Sequence, residues 1–346
     1  MTHGAEIRFL QFAGRRVAYA VTGTGPPLVA PAWWVSHLEL DWADPTFRGL
    51  WESVGEGYTV VRYDRLGVGL SDRDVRDEDL TLDGEIALLQ AVLDELAFER
   101  VELIGGSSGG CAAIAFSAHF PERVNRLLLY GAYADGSSIT SPEVREAVVG
   151  GVRSHWGLGS RLLADIFLGE ATSVEQERFA RYQRAAASAD MAAALLELTY
   201  RNDVRAELER VRAPTLVVHR RGDRAIPYHL GRELAATIPG ATLIPLDGSA
   251  HFPWTGDAHS VARALRSVLA PEAPAGVTGE PAAVLLSGRE REVLALVARG
   301  LSDQEIAEQL VLSYHTVHRH VANIRHKLGS SSRTAAVAEA ARLGLL

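Results

Sequence analysis

Six short apolar runs punctuate the first 250 residues: PLVAPA (27–32), YTVVRYD (58–64), VELIG (101–105), RLLLYG (126–131), PTLVVH (214–219) and ATLIPLD (241–247). Each run is continuous rather than alternating, and stretches of helical period such as LDGEIALLQAVLDELAF lie between several of them. Strands buried on both faces read this way, and a helix between successive strands is the crossover that parallel pairing needs. The expected fold class is therefore α/β, a mostly parallel sheet with helices on both faces. Residues 5–22 predict two further strands around the turn AGRR, ending at the breaker run GTGPP.

The strand signal stops between about 134 and 212, where Ala- and Arg-rich sequence carries Trp156, Phe167, Phe179, Tyr182, Leu195, Leu196 and Tyr200. A helical insertion there is either a cap over the ligand-binding end of the sheet or ordinary packing helices. The Pro- and Gly-rich segment 271–283 reads as a linker, and the chain is helical from 284 to 346. Two domains are expected, 5–270 and 284–346. From Val284 onwards eight Lys or Arg face six Asp or Glu, so a chain of net charge −8 carries about −10 on its larger part. An acidic large domain and a weakly basic tail suggest separate tasks.

No apolar run approaches the length that spans a bilayer, and MTHGAEIRF has no basic-then-apolar leader, so a cytoplasmic location is expected. The single cysteine, Cys111, excludes an intramolecular disulfide and fits a reducing compartment. No cluster of Cys and His has zinc-site spacing, and neither metal nor cofactor is expected. The glycines of DRLGVGLSD lack the Walker lysine and read as a structural turn.

VELIGGSSGG (101–110) holds two overlapping copies of G-x-S-x-G, one centred on Ser107 and one on Ser108. A strand runs into it and the helical CAAIAFSAHF runs out, the context in which a sharp turn presents a nucleophilic serine. The residue after that serine turns its N–H towards a developing oxyanion. A serine nucleophile needs a histidine base, oriented by an acid, in the chain order Ser, acid, His. Asp223 in HRRGDRAIP and His251 in DGSAHFPW follow successive apolar runs in that order; Asp247 and Asp257 are rivals for the acid.

Residues 5–270 resemble the α/β-hydrolase superfamily in LIGGSSGG followed by FPERV, in DRLGVGLSD, in the GDRAIP acid loop and in the GSAHFP histidine loop. The resemblance implies a Ser107–Asp223–His251 triad, because the family's P-E-R-V proline lies fourteen residues after the nucleophile, and Pro121 selects Ser107. It also implies oxyanion donors at the Ser108 and Trp33 N–H groups, with Ala32 where the family carries glycine. Trp33 and Trp34 either line a pocket or cover the sheet.

In the tail, Ser287 to Glu290 and Ser302 to Glu305 are capping-box patterns; Gly300 and Gly329 are helix stops, and Ser313 can cap a third helix. Val317, Val321, Ile324 and Leu328 form one apolar stripe on that helix. The opposite face holds His315, Arg319, Ala322 and His326, flanked by His318 and Asn323. Tyr314 to Leu328 carries three basic residues, four histidines and no acid. Arg and Asn on such a face can read base edges, while Thr316, Arg325 and Lys327 suit phosphates.

LSGREREVLALVARGLSDQEIAEQLVLSYHTVHRHVANIRHKLGSSSRTAAV resembles the LuxR-type DNA-binding domain along its whole length. The resemblance implies that His318, Arg319 and Ala322 approach bases, that the last helix forms a dimer, and that the target is two-fold symmetric DNA. Three functions are consistent with the sequence. The leading one is a transcriptional regulator whose hydrolase-like domain senses a small molecule, an ester or lactone. The others are an esterase or lactonase with a DNA-binding tail, and a dimer scaffold with a relict triad.

Overall fold

The computed structural model describes residues 6–269, 288–310, 312–328 and 332–342. The linker 271–283, the Ser287 cap and the Gly329 stop lie outside them. The chain divides between 270 and 271 into two compact units.

The first unit is built on one eight-stranded sheet: β1 (Glu6–Phe12), β2 (Arg15–Gly23), β3 (Pro27–Ala30), β4 (Thr59–Tyr63), β5 (Val101–Gly106), β6 (Val124–Tyr130), β7 (Thr215–Arg220) and β8 (Thr242–Leu246). Their spatial order is β1-β2-β4-β3-β5-β6-β7-β8. The expected opening hairpin is present: β1 pairs antiparallel with β2 around Ala13 and Gly14, both at positive φ. β2 is also antiparallel to β4, and every later pairing is parallel. The α/β expectation is met, and the apolar runs are the strands themselves.

Between β3 and β4 lie α1 (Leu38–Ala43) and α2 (Pro45–Val54); α3 (Leu82–Glu95) precedes β5, and α4 (Ser107–His119) follows it. Four helices separate β6 from β7: α5 (Pro142–Ser154), α6 (Trp156–Leu168), α7 (Ser173–Ala186) and α8 (Ala189–Arg201). α9 (Tyr228–Thr237) joins β7 to β8, and α10 (Ala258–Leu269) closes the unit. Alternate strand residues face opposite cores. Val29, Val61 and Leu103 join α3, α4 and α9 on one side, while Leu28, Val60 and Ile104 meet α2 and α10 on the other. The strand order reverses around β3, so a crevice opens where the carboxyl ends of β3 and β5 diverge, the usual place for a ligand in an open α/β sheet.

The second unit holds α11 (Gly288–Ala298), α12 (Asp303–Leu310), α13 (Tyr314–Lys327) and α14 (Arg333–Arg342). Gly300 at φ +88° ends the α11 turn, as its sequence position requires. Ser302 and Glu305 exchange hydrogen bonds at the start of α12, and the Ser313 hydroxyl accepts from the Thr316 N–H at 3.1 Å at the start of α13. Val317, Val321, Ile324 and Leu328 are buried against Val293, Leu294, Ile306 and Ala336, so the apolar stripe of α13 faces the core. Among the described residues no helix is long and apolar enough to cross a membrane.

Candidate functional site

β5 is buried along its whole length and passes into α4 through Gly106 and Ser107. Ser107 sits at φ +49°, a conformation that costs free energy for any residue with a side chain and recurs at functional turns. The turn is held by close packing. A Cβ on Gly106 would stand 2.3 Å from the Trp33 ring, and one on Gly105 would stand 2.6 Å from the Ala113 side chain. Glycine at 106 therefore lets the indole of Trp33 slide beneath the elbow.

Trp33 follows β3, the strand next to β5. Its ring is stacked with Tyr130 and Trp254, with centroids at 6.0 and 5.8 Å, and meets Trp51 edge-on. The Ser108 hydroxyl donates to the Trp33 carbonyl at 2.7 Å, tying the loop after β3 to the first turn of α4. Among the described residues neither the Trp33 N–H nor the Ser108 N–H has an acceptor, so both proposed oxyanion donors are unspent. The loop is fixed from the other side as well: the Trp34 indole donates to Gln183 of α7 at 3.1 Å and meets Phe167 edge-on. Both tryptophans line a cavity, and Trp33 also belongs to the buried cluster on the sheet with Leu28, Ile104 and Leu128.

Asp223 follows β7 and His251 follows β8. The Asp223 carboxylate accepts from the Ala225 and Ile226 N–H groups at 2.9 and 3.1 Å and binds His251 Nδ1 at 2.8 Å. A carboxylate on Nδ1 puts the ring proton there and leaves Nε2 as the base. Gly131, after β6, lets the pair close over the sheet: a Cβ there would lie 3.2 Å from His251 Cε1 and 3.3 Å from Asp223 Oδ2. The His251 N–H donates to the Phe167 carbonyl of α6 at 2.7 Å, and its ring packs against Phe167 and Phe252. Thus the helices between β6 and β7 supply walls around the histidine.

Acid and histidine are joined by a hydrogen bond. Ser107 stands at the end of β5 with its hydroxyl bonded to nothing among the described residues, and His251 Nε2 is equally unengaged. Asp257 instead caps α10 through the Ser260 N–H. Cys111 is buried, donates to the Tyr133 carbonyl, and is pushed up to about 12 by burial, so its thiol stays protonated. The DRLGVGLSD segment is a turn in which Asp64 accepts from the Leu38 and Leu70 N–H groups and from Ser36. Burial lowers His219, whose Nε2 bonds the Ile226 carbonyl beside Asp223.

Arg220 was not singled out by its sequence. It is 1% exposed and donates to the carbonyls of Ala250, Phe252, Thr255 and Asp257, clamping the histidine loop to the end of β7. The available signal was an arginine at the end of a continuous apolar run.

On α13, His318 and Asn323 are exposed and Arg325 is half-buried. His318 Nδ1 meets Asp303 of α12 at 3.1 Å, and its ring lies parallel to Tyr314. Asp303 also binds Arg333 of α14. The Thr316 hydroxyl shares a hydrogen bond with Ser313, and Thr316 is half-buried. Positions 319, 322 and 327 belong to α13, but the side chains of Arg319, Ala322 and Lys327 lie outside the described residues.

Residues 31–255 match the α/β hydrolase fold family, and residues 284–340 match the luxR family of bacterial regulatory proteins. A curated relative, a 2-hydroxy-6-oxononadienedioate/2-hydroxy-6-oxononatrienedioate hydrolase of Cupriavidus pinatubonensis, is 31% identical over 209 residues, which cover 58% of this chain and 72% of that protein. A hydrolase of Pseudomonas aeruginosa is superposed with a TM-score of 0.64 at 25% identity, covering 78% of this chain and all of the other. An esterase of Exiguobacterium antarcticum reaches 0.65 at 20% identity, over 75% and 97% of the two chains. The chain belongs to the α/β hydrolase fold family and carries at its C-terminus a DNA-binding domain of the luxR family of bacterial regulatory proteins.

Proposed function

We propose that this is a cytoplasmic transcriptional regulator in which the hydrolase-fold unit senses a small ester or lactone and the C-terminal unit binds two-fold symmetric DNA as a homodimer. One observation carries the reading: a joined Asp223–His251 pair and an unspent serine elbow occupy the same chain as a luxR-family domain. In this reading Ser107 is the nucleophile or capture group, His251 the base and Asp223 its orienting acid, with the Trp33 and Ser108 N–H groups receiving the oxyanion. His318, Arg319, Ala322 and Asn323 approach bases, and Thr316, Arg325 and Lys327 take phosphates.

A second reading, in which hydrolysis makes or ends the signal, is favoured by the left-handed conformation of Ser107 and by the hydrolase named among the relatives. One experiment separates the two. DNA sites selected by the full chain from a random duplex pool are titrated with wild type and with Ser107→Ala across a panel of esters and lactones. A ligand response that survives in Ser107→Ala supports sensing by binding; a response that needs Ser107 supports chemistry as the signal. No response from any member sinks both.

A further inference from the structure

Beside the elbow, the loop after β3 borders a narrow cleft with about 50 Å³ of solvent-accessible space, and neither Ser107 nor His251 lines it. Its walls are mostly aromatic: Trp33, Phe47, Trp51, Phe179, Tyr182 and Trp254. Arg62 of β4 also lines it. The residue is 5% exposed, and among the described residues its buried Nε, Nη1 and Nη2 all lack a hydrogen-bond partner. Buried arginines are ordinarily fully hydrogen-bonded, and in this same unit Arg220 donates to four carbonyls. Arg62 instead has the Trp42 ring at 4.9 Å and the Phe47 ring at 5.0 Å, contacts that hold its plane without using its N–H groups.

The nearest acids do not take those donors. Asp64 is occupied by Ser36, Leu38 and Leu70, and Asp41 by the Tyr182 hydroxyl at 2.6 Å and the His37 N–H at 3.3 Å. Burial, and then the Asp64 charge, push the Asp41 carboxyl up to about 7 against the lowering effect of Tyr182. A flat charged fork with three buried, unpartnered nitrogens at the wall of an aromatic slot is complementary to a planar anion with an apolar body.

We propose that Arg62 is the receptor for a carboxylate carried by the sensed ligand, a small acid with a flat apolar body that lies in the aromatic slot. The site is separate from the serine elbow, and its regulatory meaning rests on the sensing reading above. Asp41 sits close enough to oppose such a carboxylate whenever it is itself ionised, so it disfavours the anion at the alkaline end.

The test is calorimetric titration of the full chain at pH 8 with phenylacetate, 3-phenylpropionate and trans-cinnamate, each against its own amide. Wild type is expected to bind at least one carboxylate tenfold or more tighter than the amide. Arg62→Met is expected to lose that preference, and Asp41→Asn, which keeps an oxygen for Tyr182 but not the charge, to tighten carboxylate binding severalfold. The gain in Asp41→Asn cannot come from misfolding. A wild type that fails to distinguish any acid from its amide overturns the site, as does a preference that survives in Arg62→Met or weakens in Asp41→Asn. Selected DNA with the same acids tells the two readings apart: tight binding without any change in DNA affinity leaves the site standing and removes the sensing reading.

Discussion

At the scale of single residues, the elbow assigns different work to two adjacent serines. Ser107 holds a left-handed backbone and an unengaged hydroxyl, whereas the Ser108 hydroxyl is committed to the Trp33 carbonyl. A fluorophosphonate probe is therefore expected to label wild type and Ser108→Ala but not Ser107→Ala; label retained in Ser107→Ala and lost in Ser108→Ala reverses the assignment. Arg220 makes a second prediction. Replacing it with Met strips two buried and two part-buried carbonyls of their donor, at a cost of about 3 kcal/mol. Its urea midpoint should fall clearly below that of wild type; an unchanged midpoint would show that the histidine loop does not depend on the clamp.

At the scale of elements, α1 brings an acid into the interior. Asp41 titrates near 7 in the folded chain and near the ordinary 3.8 when unfolded. Across that window the folded state holds the extra proton, so stability is greatest at the acid end and falls as pH rises, by up to about 1.4 kcal/mol per unit. Burial raises Asp64 and Glu85 in the same direction. Urea midpoints at pH 5 and pH 7 should differ less in Asp41→Asn than in wild type; an equal difference means that Asp41 is not the group responsible. The strands were legible in the sequence because burial on both faces writes continuous apolar runs, and α13 because its stripe repeats at four, three and four residues. Arg62 and Arg220 were less so. Each interrupts or ends such a run, which hints at burial, but the partners that decide their roles come from loops and helices far along the chain. The choice between Ser107 and Ser108 came from the family spacing to Pro121, since both satisfy G-x-S-x-G.

At the scale of the whole molecule, the luxR-family unit makes the chain a DNA-binding regulatory protein, and specificity should reside on the outward face of α13. Arg319→Ala is expected to weaken binding to a selected site by about 1–3 kcal/mol while leaving non-specific duplex binding nearly unchanged. Equal losses on both DNAs would make Arg319 a phosphate contact instead. In the larger unit, the Trp34–Gln183 hydrogen bond has a thermodynamic corollary. The loop that carries the Trp33 N–H and the helix that roofs the aromatic slot are one linkage, fastened by Trp34 to α7 and by Ser108 to α4. Whatever wedges beneath α7 is therefore expected to pull on the loop that carries the Trp33 N–H. By reciprocity, a molecule captured at the serine would change the slot's affinity by the same factor that slot occupancy changes capture, so the two events can report on each other through the Trp33 loop that they share.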